Sequence, residues 1–238
     1  ARLTRLGMRL LPVPRGAAGP DLQVLAGLLQ AHRPRLYVTV SALHNPTGQC
    51  LSLACAHQIL QLAEAHDLTL VEDDTYAWLA GPHLPRLAAL DGLRRTVYIS
   101  GFSKILAPGW RVGYAAMARP LADRLVDTKL LCALTTAPMA ERAVAWCLEQ
   151  GLLRRHAERV GARLDQARQR VIRLAEGAGC RFVAPPQGLF GWVDTGVGGE
   201  ESRGDPRGID WPRVVPFVLL HLGCAAVIWT GWSPFAVG

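Results

Sequence analysis

Lysine is nearly missing from this chain. Of its 26 basic side chains only two are lysines, Lys104 and Lys129, and arginine supplies the rest. Lys129 lies in a helical stretch dotted with Arg and Asp, where a solvated lysine is ordinary. Lys104 stands in VYISGFSKILAPGWRVGYAAM (97–117), just after a short β-rich run and flanked by Ser100, Ser103 and Arg111. Arginine stays protonated at any working pH, whereas a lysine amine can lose its proton in a suitable pocket and attack a carbonyl. Lys104 is therefore the first candidate for chemistry.

Other shortages narrow the function classes. The six cysteines (Cys50, Cys55, Cys132, Cys147, Cys180, Cys224) form no C-x-x-C pair and have no histidine at ligand spacing, so no metal ligands are expected. Most sit in apolar helical stretches, which predicts buried free thiols in a cytoplasmic protein. The net charge is +7, yet the arginines are scattered, with no basic run and no helix-turn-helix or RNA-binding signature. No nucleic-acid partner is expected for this chain alone. Residues 1–10 lack the apolar core and cleavage site of a signal peptide. Residues 214–238 carry no Asp, Glu, Lys or Arg and are long enough to span a bilayer. Their two prolines, three glycines and missing anchor argue against a membrane span, and the stretch reads as an atypical tail. The length of 238 residues, half of them apolar, fits one large domain or one domain plus part of a second.

What is present has a clear order. Residues 36–40, 69–72, 97–100 and 112–116 are short runs rich in β-branched or aromatic residues, bounded by turn residues, and read as buried strands. Between the first two, LSLACAHQILQLAEAHD has helical apolar spacing with Ser52 as its N-cap. Strand, helix, strand at this spacing is a βαβ unit and implies parallel strands. Residues 120–133 and 137–150 show helical periods, and 152–176 predict a long arginine-rich amphipathic helix with a solvated face. RFVAPPQGLFGWV (181–193) reads as two strands around a turn, opening a smaller domain. The expected divisions are 1–150, 151–195 and 196–238.

Ligands of open α/β sheets bind at the carboxyl ends of the strands. Three polar clusters fall there: HNPTG (44–48), EDDTY (72–76) and SGFSK (100–104). Each alone could be a turn or a solvated loop. Together they bring Asn, Asp, Tyr and Lys to one edge from distant parts of the chain.

These clusters, with the continuation SGFSKILAPGWRVGY, resemble the motifs of class I/II pyridoxal-phosphate aminotransferases of fold type I. The resemblance is closest to the 2-aminoadipate/kynurenine aminotransferase branch and to the aminotransferase-like domain of MocR/GntR-type regulators. It runs from about residue 10 to 195. It implies a partial large domain, mostly parallel sheet with helices on both faces, plus the start of a small C-terminal α+β domain. It implies pyridoxal 5'-phosphate as cofactor, amino acid and 2-oxo acid substrates, and a homodimer in the full-length family. Pyridoxal phosphate is an electron sink when its ring nitrogen is protonated. By motif match Asp73 would face that nitrogen, since Tyr76 follows three residues later, and Asp74 would be its solvated neighbour. Asn45 and Tyr76 would donate to the ring's phenolic oxygen, and Lys104 would form the imine and later shuttle a proton. Ser103 and Arg111 would hold the phosphate, Arg111 through charge-assisted bonds.

Departures from the pattern matter too. The position three before the lysine, usually Ser or Thr, is Gly101, and Ser100 beside it either compensates or does not. The family's phosphate loop and ring-stacking aromatic have no counterpart in residues 1–35, and its carboxylate-gripping arginine has none beyond 195. Three functional expectations follow. The chain is an aminotransferase domain, the cofactor-binding effector domain of a regulator that carries a winged helix elsewhere, or an inactive truncated relic of either.

Overall fold

The computed structural model describes residues 2–133 and 135–194, and all of these belong to one compact unit, Ala1–Gly196. The expected tail, 196–238, and Cys224 lie outside the described residues.

A short helix, α1 (Arg2–Arg5), precedes a small antiparallel ribbon of β1 (Arg15–Gly16) and β2 (Gly19–Pro20). The ribbon leads into α2 (Leu22–His32), which starts where the Asp21 carboxylate accepts from the Gln23 and Val24 N–H groups at 3.0 and 3.1 Å. Then come β3 (Leu36–Thr39), α3 (Leu53–Ala65), β4 (Thr69–Asp73), α4 (Leu87–Asp91), β5 (Thr96–Gly101) and β6 (Gly113–Ala116). Ser52 caps α3 as expected, its Oγ accepting from the Cys55 N–H at 3.2 Å. Losing such a cap costs about 1 kcal/mol. Three longer helices follow, α5 (Arg119–Ala133), α6 (Pro138–Glu149) and α7 (Leu152–Gly177). A last ribbon pairs β7 (Arg181–Phe182) with β8 (Val193–Asp194).

The main sheet has the order β3-β4-β5-β6. The first three strands are parallel, and β6 returns antiparallel to β5. Strand register sorts side chains by face, because alternate residues point to opposite sides. Tyr37 and Thr39 lie beside Leu70 and Glu72 on one side. There α2, α3 and α4 pack a core of Leu25, Leu29, Ile59, Leu70 and Leu87. Burying side chains of this size contributes about 1.5–3 kcal/mol each. On the other side, Leu36, Val38 and Ile99 are 48, 56 and 41% exposed. A second core of Phe102, Ile105, Val112, Val144 and Leu153 joins the turn after β5 to α6 and α7.

The thiols correct one expectation. Cys55 is buried in α3, but Cys132 is exposed on α5, and Cys50, Cys147 and Cys180 are half-buried. All five are free. Among the described residues no helix is long and apolar enough to cross a membrane.

Candidate functional site

Because β3, β4 and β5 run parallel, their carboxyl ends share one edge, and the three polar clusters all follow those ends. The antiparallel β6 begins at the same edge, with Gly101 paired to Gly113, so Arg111 arrives there too. Asn45, Asp73, Tyr76, Ser103, Lys104 and Arg111 thus gather at one rim from four chain segments.

The loop after β3 closes on itself. Leu51 N–H donates to the Ser41 carbonyl at 2.7 Å, His44 N–H to that of Gln49 at 2.9 Å, and Gly48 N–H to that of His44 at 2.6 Å. Asn45 is exposed at the tip. Gly48 sits at φ +72°, and a Cβ there would meet the Phe190 carbonyl oxygen at 2.8 Å. The close approach brings the segment between β7 and β8 against the loop. Gln187 Oε1 accepts from the Cys50 thiol at 3.3 Å. The Phe190 ring meets Tyr76 edge-on at 5.1 Å.

The end of β4 carries three carboxylates with different tasks. Glu72 is fully buried on the helix side, where it accepts from Ser41 Oγ and, at 2.8 Å each, from the Leu87 and Ala88 N–H groups that open α4. Asp74 is not the solvated neighbour expected from sequence. It is 1% exposed, paired with Arg86 Nε at 2.5 Å, and accepts from the Tyr98 hydroxyl at 2.9 Å. Burial and the Asp74 carboxylate push the Tyr98 phenol well above its ordinary value. The reason is parity: Asp74 falls on the side of Leu70 and Glu72, and its N–H continues the ladder to the Ile99 carbonyl at 2.8 Å. Asp73, one residue earlier, is half-buried and faces the side of Val71 and Ile99. Its Oδ1 accepts from the Thr75 N–H at 3.0 Å and the Thr75 hydroxyl at 2.5 Å. Burial raises the nearby Tyr76 phenol, and the Asp73 charge adds to that shift.

Lys104 sits in the turn after β5. Phe102 N–H donates to the Val112 carbonyl at 3.1 Å and Leu106 N–H to that of Phe102 at 2.8 Å. Phe102 and Ile105 are buried anchors on either side, while Lys104 is exposed and Ser103 half-buried between them. His156 of α7 meets the Ile105 carbonyl at 3.0 Å and ties the turn to the helix. Arg111 is exposed in a left-handed backbone conformation, φ +54°, two residues before β6.

The geometry also accounts for Gly101. A Cβ there would lie 3.2 Å from the Val112 carbonyl oxygen and 3.3 Å from Gly113 Cα, so the tight β5–β6 pairing favours glycine. Ser100 is 5% exposed, and its hydroxyl donates to the Asp74 carbonyl at 2.8 Å. Sequence reading missed Phe190, Gln187, Arg86 and the structural role of Glu72. Strand parity would have found Glu72 and Asp74. The other three depend on long-range packing and carried no local signal.

Comparisons with known proteins show the family. The family model for aminotransferase class I and II matches residues 8–198. A 2-aminoadipate transaminase of Thermus thermophilus is 32% identical over 195 residues, covering 79% of this chain and 49% of that protein. An uncharacterized HTH-type transcriptional regulator of Bacillus subtilis is 30% identical over 196 residues, covering 79% of this chain and 40% of the regulator. The crystal structure of an alpha-aminoadipate aminotransferase from Thermus thermophilus, complexed with N-(5'-phosphopyridoxyl)-L-leucine, superposes with a TM-score of 0.69 at 30% identity. That match covers 76% of this chain and 48% of the other. The chain therefore spans about half or less of the length of these relatives. With its polar clusters on one sheet edge and a family match across residues 8–198, the chain belongs to the class I and II aminotransferase family.

Proposed function

We propose that the rim formed by Asn45, Asp73, Tyr76, Ser103, Lys104 and Arg111 binds pyridoxal 5'-phosphate and serves amino transfer between an amino acid and a 2-oxo acid. The observation that carries the reading is the sorting of the EDD run. Glu72 and Asp74 are spent on structure, while Asp73 faces away from the helices with its Oδ2 free of any hydrogen bond among the described residues. The donor set suits the group: one amine, one available carboxylate, one phenol, and a hydroxyl and guanidinium near the amine. When bound, the cofactor supplies an electron sink for charge developing at the substrate carbon.

The chain's own groups do the rest. Asp73 holds a proton on the ring nitrogen by charge pairing. Tyr76 and Asn45 orient the ring through its phenolic oxygen. Arg111 and Ser103 bind the phosphate. Lys104 Nζ would hold the cofactor through its aldehyde carbon, with loss of water, and when released would move a proton at the substrate carbon. The test is to incubate the protein with pyridoxal phosphate, reduce with borohydride and map the modified peptide. Label on Lys104, lost in Lys104→Ala, is expected. Label mainly on Lys129 or the terminal amine would overturn the assignment.

A second reading is favoured by the 30% identity to an HTH-type regulator: the domain binds the cofactor as an effector without turnover. A half-reaction assay with several amino acids separates the two, since an effector domain keeps the Lys104 label and transfers no amino group. The enzyme reading places the protein in the cytoplasm as a homodimer.

A further inference from the structure

A cavity of about 500 Å³ lies between the segment entering β1, helix α2 and the unpaired edge of β3. Arg15, Tyr37, His44 and Asp73 are among its polar lining. The Nε and Nη2 atoms of Arg15 are both buried and meet no hydrogen-bond partner among the described residues. No ion pair among those residues includes Arg15 either. These two nitrogens form one edge of the guanidinium plane, the fork that a carboxylate fills with two parallel hydrogen bonds. Asp73 is the sole carboxylate lining the cavity, and its Oδ1 is engaged by Thr75.

We propose that this cavity is a carboxylate-binding site, in which the Nε–Nη2 edge of Arg15 grips the two oxygens of one carboxylate. Among the described residues no carboxylate pairs with Arg15, although Asp73 lines the same cavity. Burial lowers the Arg15 guanidinium below its ordinary value, against a smaller raising effect from Tyr37, Cys55 and Cys50. Burial first and the Arg15 charge second also lower His44. With His44 neutral, Arg15 and the exposed Arg9 are the cations lining the cavity. The planar Nε–Nη2 fork of Arg15 matches a planar two-oxygen group. The cavity meets the cofactor rim at Asp73, and Tyr37, on the helix-covered side of β3, lines it together with Arg15. Its ligand is either a free small carboxylate or a glutamate side chain on an extended polypeptide lying along the β3 edge.

The test uses the full chain labelled with nitrogen-15. The Arg15 Nε–H and Tyr37 amide resonances are followed during titration with acetate, at constant ionic strength set by chloride. A parallel titration uses a blocked Val-Glu-Val peptide and its Val-Gln-Val counterpart. A saturable shift with acetate assigns a free carboxylate as sufficient. A shift with the glutamate peptide alone assigns a polypeptide carboxylate. In Arg15→Lys, which keeps the charge and loses the fork, binding read at the Tyr37 amide should weaken by about tenfold or more. Neither ligand shifting Arg15 Nε–H beyond the chloride control would overturn the proposal, as would unchanged binding in Arg15→Lys. Lys104 labelling is unaffected by either result.

Discussion

Replacing Asp74 by alanine is expected to destabilise the protein severely, although Asp74 adjoins the candidate ligand carboxylate Asp73. The Asp74 side chain is 1% exposed and that of its partner Arg86 is 16% exposed. Breaking a buried ion pair by removing one member costs about 3–5 kcal/mol, because the other charge stays buried and unpaired. Arg86 keeps a bond from Nη1 to the Leu84 carbonyl at 2.9 Å and has some access to water, which favours the lower end. The Tyr98 hydroxyl also loses its acceptor, adding about 1 kcal/mol. The main-chain bonds of Asp74 to Ile99 and Ser100 survive, so the strand register holds. A loss of about 4 kcal/mol is a large share of the roughly 5–15 kcal/mol that stabilises a domain. With a urea slope of about 1–3 kcal/mol per molar, the midpoint should fall by about 1.3–4 M. Asp73→Ala removes only the acceptor for Thr75 and should cost about 1 kcal/mol, while sharply reducing cofactor labelling at Lys104. Urea unfolding followed by circular dichroism measures both variants. An Asp74→Ala/Arg86→Ala double variant should recover part of the loss, since it removes the stranded charge. Equal destabilisation by Asp73→Ala and Asp74→Ala would refute the sorting by strand face.

Gly48→Ala should cost about 1–2 kcal/mol from its left-handed backbone alone. The contact of its Cβ with the Phe190 carbonyl should also displace Asn45 and Tyr76 together, read as a lower melting temperature and weaker cofactor absorbance. Ser100→Ala should lower stability by about 1 kcal/mol through the lost bond to the Asp74 carbonyl and leave cofactor retention unchanged. Ser103→Ala should do the reverse, and calorimetry with a cofactor titration distinguishes them. His44 is depressed from its ordinary value of 6.5 by burial and by Arg15, so the unfolded chain takes up the proton first. Stability should therefore decline as pH falls through 6.5 and level off below the folded value, with the slope reduced in His44→Gln. Denaturation midpoints across that range measure it.

The elements were legible where a local period carried them. The helix behind Ser52 and the three parallel strands follow from apolar spacing and turn residues within short windows, and the edge that gathers the polar clusters follows from parallel order. Contacts set by distant segments were not legible. Gln187 reaches Cys50 across 137 positions, and Phe190 reaches Tyr76 in the same way. Arg86 looks in sequence like one more solvated arginine, and Arg15 looks like a turn residue. Their burial is decided by which elements pack over them.

The same rule of alternation accounts for both halves of the candidate site. Along EDD, the side chains at Glu72 and Asp74 turn toward the helices, where they fasten α4, Arg86 and Tyr98. Asp73 turns the other way and is held in place by neighbours that are already fixed. Along SGFSKI, Phe102 and Ile105 turn into the second core while Lys104 between them points outward. A ligand group placed this way needs no structural contacts of its own, because flanking residues set its backbone. Substitutions at Asp73 and Lys104 should thus be tolerated by the fold and felt in chemistry. Substitutions at Glu72, Asp74, Phe102 or Ile105 should be felt first in stability, and in chemistry through the displaced neighbour.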